Sequence, residues 1–167
     1  MPLHIAVAGN GHAPRHILFA SKHILAALVT GKPALPRAVN VAAGDWALSL
    51  CFIDAPGMYR LNRLYRNSPH ATDCLAFPHT DTAAELTAGA AASDACQNLG
   101  EIFLCWPHCL RKHNIPAQGP RQAWLLRRLL VHSFAHLLHF DHHSREEHRR
   151  MRAVECRLMQ RAGTVRA

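Results

Sequence analysis

His132-Ser133-Phe134-Ala135-His136-Leu137-Leu138-His139-Phe140-Asp141-His142 is the stretch on which the reading of this chain turns. It closes a run from Gln122 to His139 that reads as a helix, apolar nearly all round and therefore central to the fold. Two histidines four apart on a helix share one face. The third lies six residues further on and reaches that face only if the chain bends sharply in between. Three neutral imidazoles around one point make a catalytic-type site, with a fourth position left for water or substrate. The pattern points to one Zn2+ ion on His132, His136 and His142, and to metal-assisted hydrolysis. The bend asks for a left-handed residue, a place glycine fills most easily; His139 holds it here.

Working outward, strands and helices interleave. Leu3–Val7 alternates like an edge strand. His16–Val29 comes next with an apolar face, and Gly31-Lys32-Pro33 stops it. Trp46–Ile53 reads as a second strand, and Asp54-Ala55-Pro56 as a helix entry. Met58, Leu61, Leu64 and Tyr65 give the next helix its stripe. Cys74–Phe77 and Gly100–Cys105 are two further strands, separated by the Ala-rich stretch 81–98, an expected insertion or loop with some helix. Ser144-Arg145-Glu146-Glu147 is a capping box that opens a last helix, with Met151, Val154 and Leu158 on one face. The expectation is a single α+β domain over residues 1–167, with a mixed sheet of about four strands and about five helices.

Composition bounds the function. The chain has 167 residues, 49% of them hydrophobic, enough for a real core. It holds no apolar run long enough to span a membrane. Lys and Arg outnumber Asp and Glu by 19 to 11, a formal charge of +8, which suits a polyanion such as RNA. The six cysteines show no CxxC spacing and read as buried free thiols; a second metal site on Cys105 and Cys109 does not match the usual ligand patterns. His4, His12, His16 and His23 read as surface residues, and Trp46, Trp106 and Trp124 as core. No acidic residue precedes Asp45. That leans toward a mitochondrial protein whose presequence is already missing, with the bacterial cytoplasm as the alternative.

These motifs, taken together, resemble the YbeY family of zinc-dependent endoribonucleases of ribosomal RNA maturation. Its H-G-x-x-H-x-x-G-x-D-H pattern is matched by His132-Ser133, His136 and His139-Phe140-Asp141-His142. Leu61-Asn62-Arg63-Leu64-Tyr65-Arg66 looks like its L-N-x-x-Y-R element. Thr72-Asp73-Cys74-Leu75-Ala76-Phe77-Pro78 is similar to T-D-V-L-S-F-P, and Leu99-Gly100-Glu101-Ile102 to L-G-D-I. The resemblance covers roughly Leu61 to the last helix. It implies zinc on His132, His136 and His142, and Arg66 in the role of the family's catalytic arginine. Ser133 and His139 stand where the family has glycine, Cys74 for valine, Ala76 for serine and Glu101 for aspartate.

The resemblance further implies an endoribonuclease acting on ribosomal RNA during maturation and assembly of the small ribosomal subunit. Ser133 occupies the place where an HExxH metalloprotease carries its general base, which disfavours a peptidase. The alternative is an assembly factor that binds pre-ribosomal RNA or protein without cutting it, its zinc structural or absent because the turn lacks its glycines. Asp141 reads as a turn residue or an orienter of a ligand; Asp73 and Thr72 as substrate contacts or strand-entry hydrogen bonders. His139 and His143 read as solvated neighbours rather than as spare ligands or bases, and the arginines from Arg145 to Arg157 as a solvated face that also suits RNA phosphates.

Overall fold

Along β2 (Trp46–Phe52), Trp46, Leu48, Leu50 and Phe52 are buried and the residues between them only partly so, the period of two that a pleated backbone imposes. The computed structural model describes residues 3–9, 11–30, 45–86, 96–116 and 119–163. Within them β2 is flanked by β1 (Leu3–Ala8) and β4 (Gln97–Leu104) and runs parallel to both. β3 (Cys74–Pro78) pairs antiparallel with the other side of β4, giving a mixed sheet of order β1-β2-β4-β3.

Among the described residues five helices longer than a single turn accompany it: α1 (Arg15–Thr30), α2 (Ala55–Arg66), α3 (Trp106–Lys112), α4 (Pro120–Leu137) and α5 (Arg145–Gly163). The α+β class and the element count expected from the sequence are both met. α4 is the hub, touching α1, α5, β3 and β4. Its Leu125, Leu126, Leu130 and Phe134 are fully buried, each stabilising by about 1.5–3 kcal/mol relative to an exposed position. α2 covers the opposite face, where Met58 packs with Leu75 and Phe103, cross-strand partners on β3 and β4.

Two of the motif segments are explained at this level. Asp54 caps α2 through a 2.7 Å bond from the Gly57 amide, with Pro56 in the first turn. Gly100 sits at φ 125 inside β4, and a Cβ there would lie 2.1 Å from the Phe77 carbonyl oxygen. Only glycine allows that strand to bulge so closely past β3.

The structure corrects several expectations. In the stripe assigned to α2, Met58 is buried but Leu64 and Tyr65 are 71% and 61% exposed, because α2 lies on the sheet along its Met58 and Asn62 edge. Trp124 is 51% exposed; it shares a helix face with Arg121 and Arg128, away from the leucine face of α4. The stretch 81–98 contains a helical turn at 83–86 and ends in strand, since β4 begins at Gln97 rather than Gly100. Its residues 87–95, like the stop at Gly31-Lys32-Pro33, lie outside the described residues.

Candidate metal centre

α4 ends at Leu137, and the bend comes at once. The Phe140 amide bonds the Ala135 carbonyl at 3.1 Å and the His139 amide bonds that of His136 at 2.9 Å, the paired bonds of a Schellman close. His139 carries the left-handed conformation this requires, at φ 63. An L-residue with a Cβ is strained there, and the side chain offsets part of the cost: His139 Nε2 lies 2.9 Å from Thr80 Oγ1. His139 therefore anchors the turn and is not a solvated neighbour. After it, Asp141 Oδ1 accepts the His142 amide at 2.8 Å and lies 4.0 Å from His136 Nδ1. Both readings of Asp141, turn and orienter, have a contact behind them.

The bend brings the three histidines together. His132, His136 and His142 each offer a nitrogen, and these nitrogens all lie within 4.8 Å of one another. His132 Nε2 and His136 Nε2 are 3.3 Å apart. Nitrogens about 2.05 Å from one ion at tetrahedral corners stand about 3.3 Å from each other, so this edge already has the spacing of a shared ion. His142 is the exposed member, with room to cover the remaining distance. Burial, joined by the nearby charge of His132, pushes the His136 imidazole down to about 4. It is neutral at ordinary pH, as a metal ligand must be. The donor set fits a divalent ion that accepts nitrogen.

One residue of the centre went unread in the sequence. Glu155 of α5 places Oε1 at 2.7 Å from His132 Nδ1, and that bond holds its carboxyl below the usual range. The signal was available: Glu155 adjoins Val154 and Leu158, the face that packs α5 on α4. The capping box that starts α5 forms as expected, with Ser144 Oγ accepting the Glu147 amide at 3.1 Å and Glu147 Oε2 accepting the Ser144 amide at 2.8 Å.

A cavity of about 490 Å³ opens over the histidines and is walled by Arg66, Lys112, Arg128 and Arg152. Arg66 is exposed at the last residue of α2, and its charge reaches His136. Its place depends on Asn62, which is buried and gives Nδ2 to the His70 carbonyl at 2.7 Å, tying down the loop that leaves the helix. Both carboxylates on the wall are engaged: Glu155 by His132, and Asp73 by Lys112 at 2.9 Å and His113 at 3.0 Å. The cavity thus favours an anion. Asp73 ties β3 to α3 and Thr72 lines the cavity. Ser133 is buried in the cavity lining, and its hydroxyl is no substitute for the carboxylate base of an HExxH site.

The expectation of buried free thiols holds for Cys105 and Cys109 and is corrected elsewhere: Cys51 and Cys74 are half-buried, and Cys96 and Cys156 are exposed, Cys156 lying off the Val154 and Leu158 face on which α5 packs. Cys105 and Cys109 are buried, burial pushes the Cys109 thiol far up, and its Sγ meets the Asp73 carbonyl at 3.4 Å. Neither belongs to a metal-binding group among the described residues. His4, His12, His16 and His23 are exposed as expected.

Comparison with known proteins finds relatives of one family. The family profile described as Endoribonuclease YbeY matches residues 25–163. A protein of Salinispora tropica named Endoribonuclease YbeY is 37% identical over 114 residues, covering 67% of this chain and 71% of its own. A protein of Halalkalibacterium halodurans with the same name is 30% identical over 115 residues, covering 69% and 71%. A solution structure of a protein from Thermotoga maritima superposes with a TM-score of 0.54 at 18% identity, covering 96% of this chain and 89% of that one. The last is a likeness of fold alone.

Proposed function

The chain belongs to the YbeY family, and from that premise we propose that it is a zinc-dependent endoribonuclease of small-subunit ribosomal RNA maturation. The observation that carries the reading is the meeting of three imidazoles beneath a cation-walled cavity with Arg66 beside them. His132, His136 and His142 would hold one zinc ion. When bound, zinc supplies Lewis acidity toward a phosphodiester oxygen or an attacking water. Arg66 presents a planar fork of donors to the non-bridging oxygens and stabilises the charge that grows on them as the bond breaks. Arg128 and Arg152 hold the flanking backbone, and Glu155 keeps His132 turned with Nε2 toward the centre.

The non-cutting alternative drew its motive from the missing glycines. That motive weakens, because His139 adopts the left-handed turn and the ligands converge. Partners on this reading are ribosomal RNA and assembling small subunits. The compared relatives are bacterial, which favours the bacterial cytoplasm. The mitochondrial address rests on the acid-free start and the altered motifs. No helix among the described residues is long and apolar enough to cross a membrane.

Purified protein with one equivalent of zinc is expected to cut single-stranded ribosomal RNA, and chelation to stop it. Arg66→Ala should cut at least about 100-fold more slowly, as losing a transition-state charge contact does, with zinc content unchanged. Equal rates would remove Arg66 from the reaction. Zinc bound without any cutting would return the chain to the assembly-factor reading.

A further inference from the structure

The ridge of α4 that carries two of the histidines begins well before them. Trp124, Arg128, His132 and His136 succeed one another at four-residue steps, and such residues form a continuous row on a helix surface. Trp124 is 51% exposed, whereas Trp46 and Trp106 are each 1% exposed. The Arg128 guanidinium lies over the Trp124 ring, 5.6 Å from its centroid. Arg128 also lines the cavity that holds His132, His136 and Arg66. Arg121, one turn earlier, is exposed on the same face, and α4 contains no acidic residue over its 18 positions. An indole left in water, braced by one cation and flanked by a second, is poorly placed for core packing. It is well placed to stack.

We propose that Trp124 and Arg128 form a stacking subsite for an unpaired nucleobase of single-stranded RNA, with the adjoining phosphates on Arg121 and Arg128. The inference rests on the endoribonuclease reading and deepens it by naming how the strand is gripped away from the cut. Trp124 precedes His132 by eight residues, about 12 Å along the helix axis. The stacked base therefore lies off the reacting centre and sets the register of the strand. Stacking accepts any base, because each has a π-face, while the guanidinium meets the backbone charge. A duplex keeps its bases stacked inside and offers none to the indole. The subsite thus selects unpaired RNA by chemistry that the histidine centre does not supply.

The protein carries its own probe, since the other two tryptophans are buried. Titrating the full chain with a twelve-nucleotide oligouridylate is expected to quench the exposed tryptophan's emission. An abasic ribose-phosphate oligomer of equal length should leave it nearly unchanged. Trp124→Ala should weaken binding of the labelled oligouridylate, read by anisotropy, about tenfold or more. Trp124→Phe should stay within about threefold, because the smaller ring still stacks. Equal quenching by both oligomers, or oligouridylate binding by Trp124→Ala equal to wild type, overturns the subsite and leaves the nuclease reading standing. A wild-type protein that neither binds nor cuts any RNA overturns the reading beneath it as well.

Discussion

His132 Nδ1 and Glu155 Oε1 stand 2.7 Å apart, joining α4 to α5 at the candidate metal centre. With Nδ1–H given to the carboxylate, the imidazole is held in the tautomer whose Nε2 lone pair faces His136 Nε2, 3.3 Å away. A carboxylate behind a ligating histidine fixes the ring and raises its basicity. Helix packing thereby sets the direction of the nitrogen that His132 offers to the candidate centre.

Removing that carboxylate tests the point. Glu155→Ala is expected to lower zinc affinity by about 10- to 100-fold, read by competition with a chromogenic chelator, while circular dichroism stays as in wild type. An unchanged affinity would show that the bond joins the helices without tuning the ligand.

The turn at His139 makes a comparison of two variants informative. His139→Ala keeps the strained φ of 63 and loses the Thr80 contact; His139→Gly loses the contact but relieves the strain. Urea unfolding is expected to find the glycine variant more stable than the alanine variant by about 1 kcal/mol. Alanine equal to glycine would mean that the backbone is not strained.

Acid should destabilise the metal-free protein. Burial, with the His132 charge, moves His136 from 6.5 down to about 4. Below pH 6.5 the unfolded chain gains a proton that the folded one refuses, so this contribution is complete above 6.5 and lost as pH falls toward 4. Glu155, held low chiefly by its bond from His132, loses its contribution as pH falls through its lowered pKa. The melting temperature is expected to drop steadily from about pH 7 to about pH 4, and less steeply in His136→Ala. Parallel curves for the two proteins would remove His136 as a source.

Gly100→Ala probes the bulge in β4. With φ at 125 and a new Cβ 2.1 Å from the Phe77 oxygen, the strand must shift, and stability should fall by about 2–3 kcal/mol. Thermal unfolding reads the effect; a loss under about 0.5 kcal/mol would show that the edge strand yields freely.

Local signals were legible wherever a side chain's role depends on its near neighbours in sequence. The capping box of Ser144 and Glu147 needs only three residues of spacing. The alternation of β2 needs only its own seven. Trp124 misled because aromatic bulk suggests a core, whereas the helix phase turns it out beside Arg121 and Arg128. Leu64 and Tyr65 misled likewise: their spacing on α2 is helical, but the sheet meets that helix along a different edge.

The chain's letters alone determined that two imidazoles share a helix face and that a left-handed bend must bring a third toward them, because helical pitch and backbone sterics are properties of neighbouring residues. Three-dimensional packing decided the rest. Glu155 reaches His132 across 23 positions of sequence, Asn62 secures the end of the helix that presents Arg66, and β3 and α4 enclose the cavity between them. Such contacts depend on how amphipathic faces dock, and that is settled by the burial of the whole core.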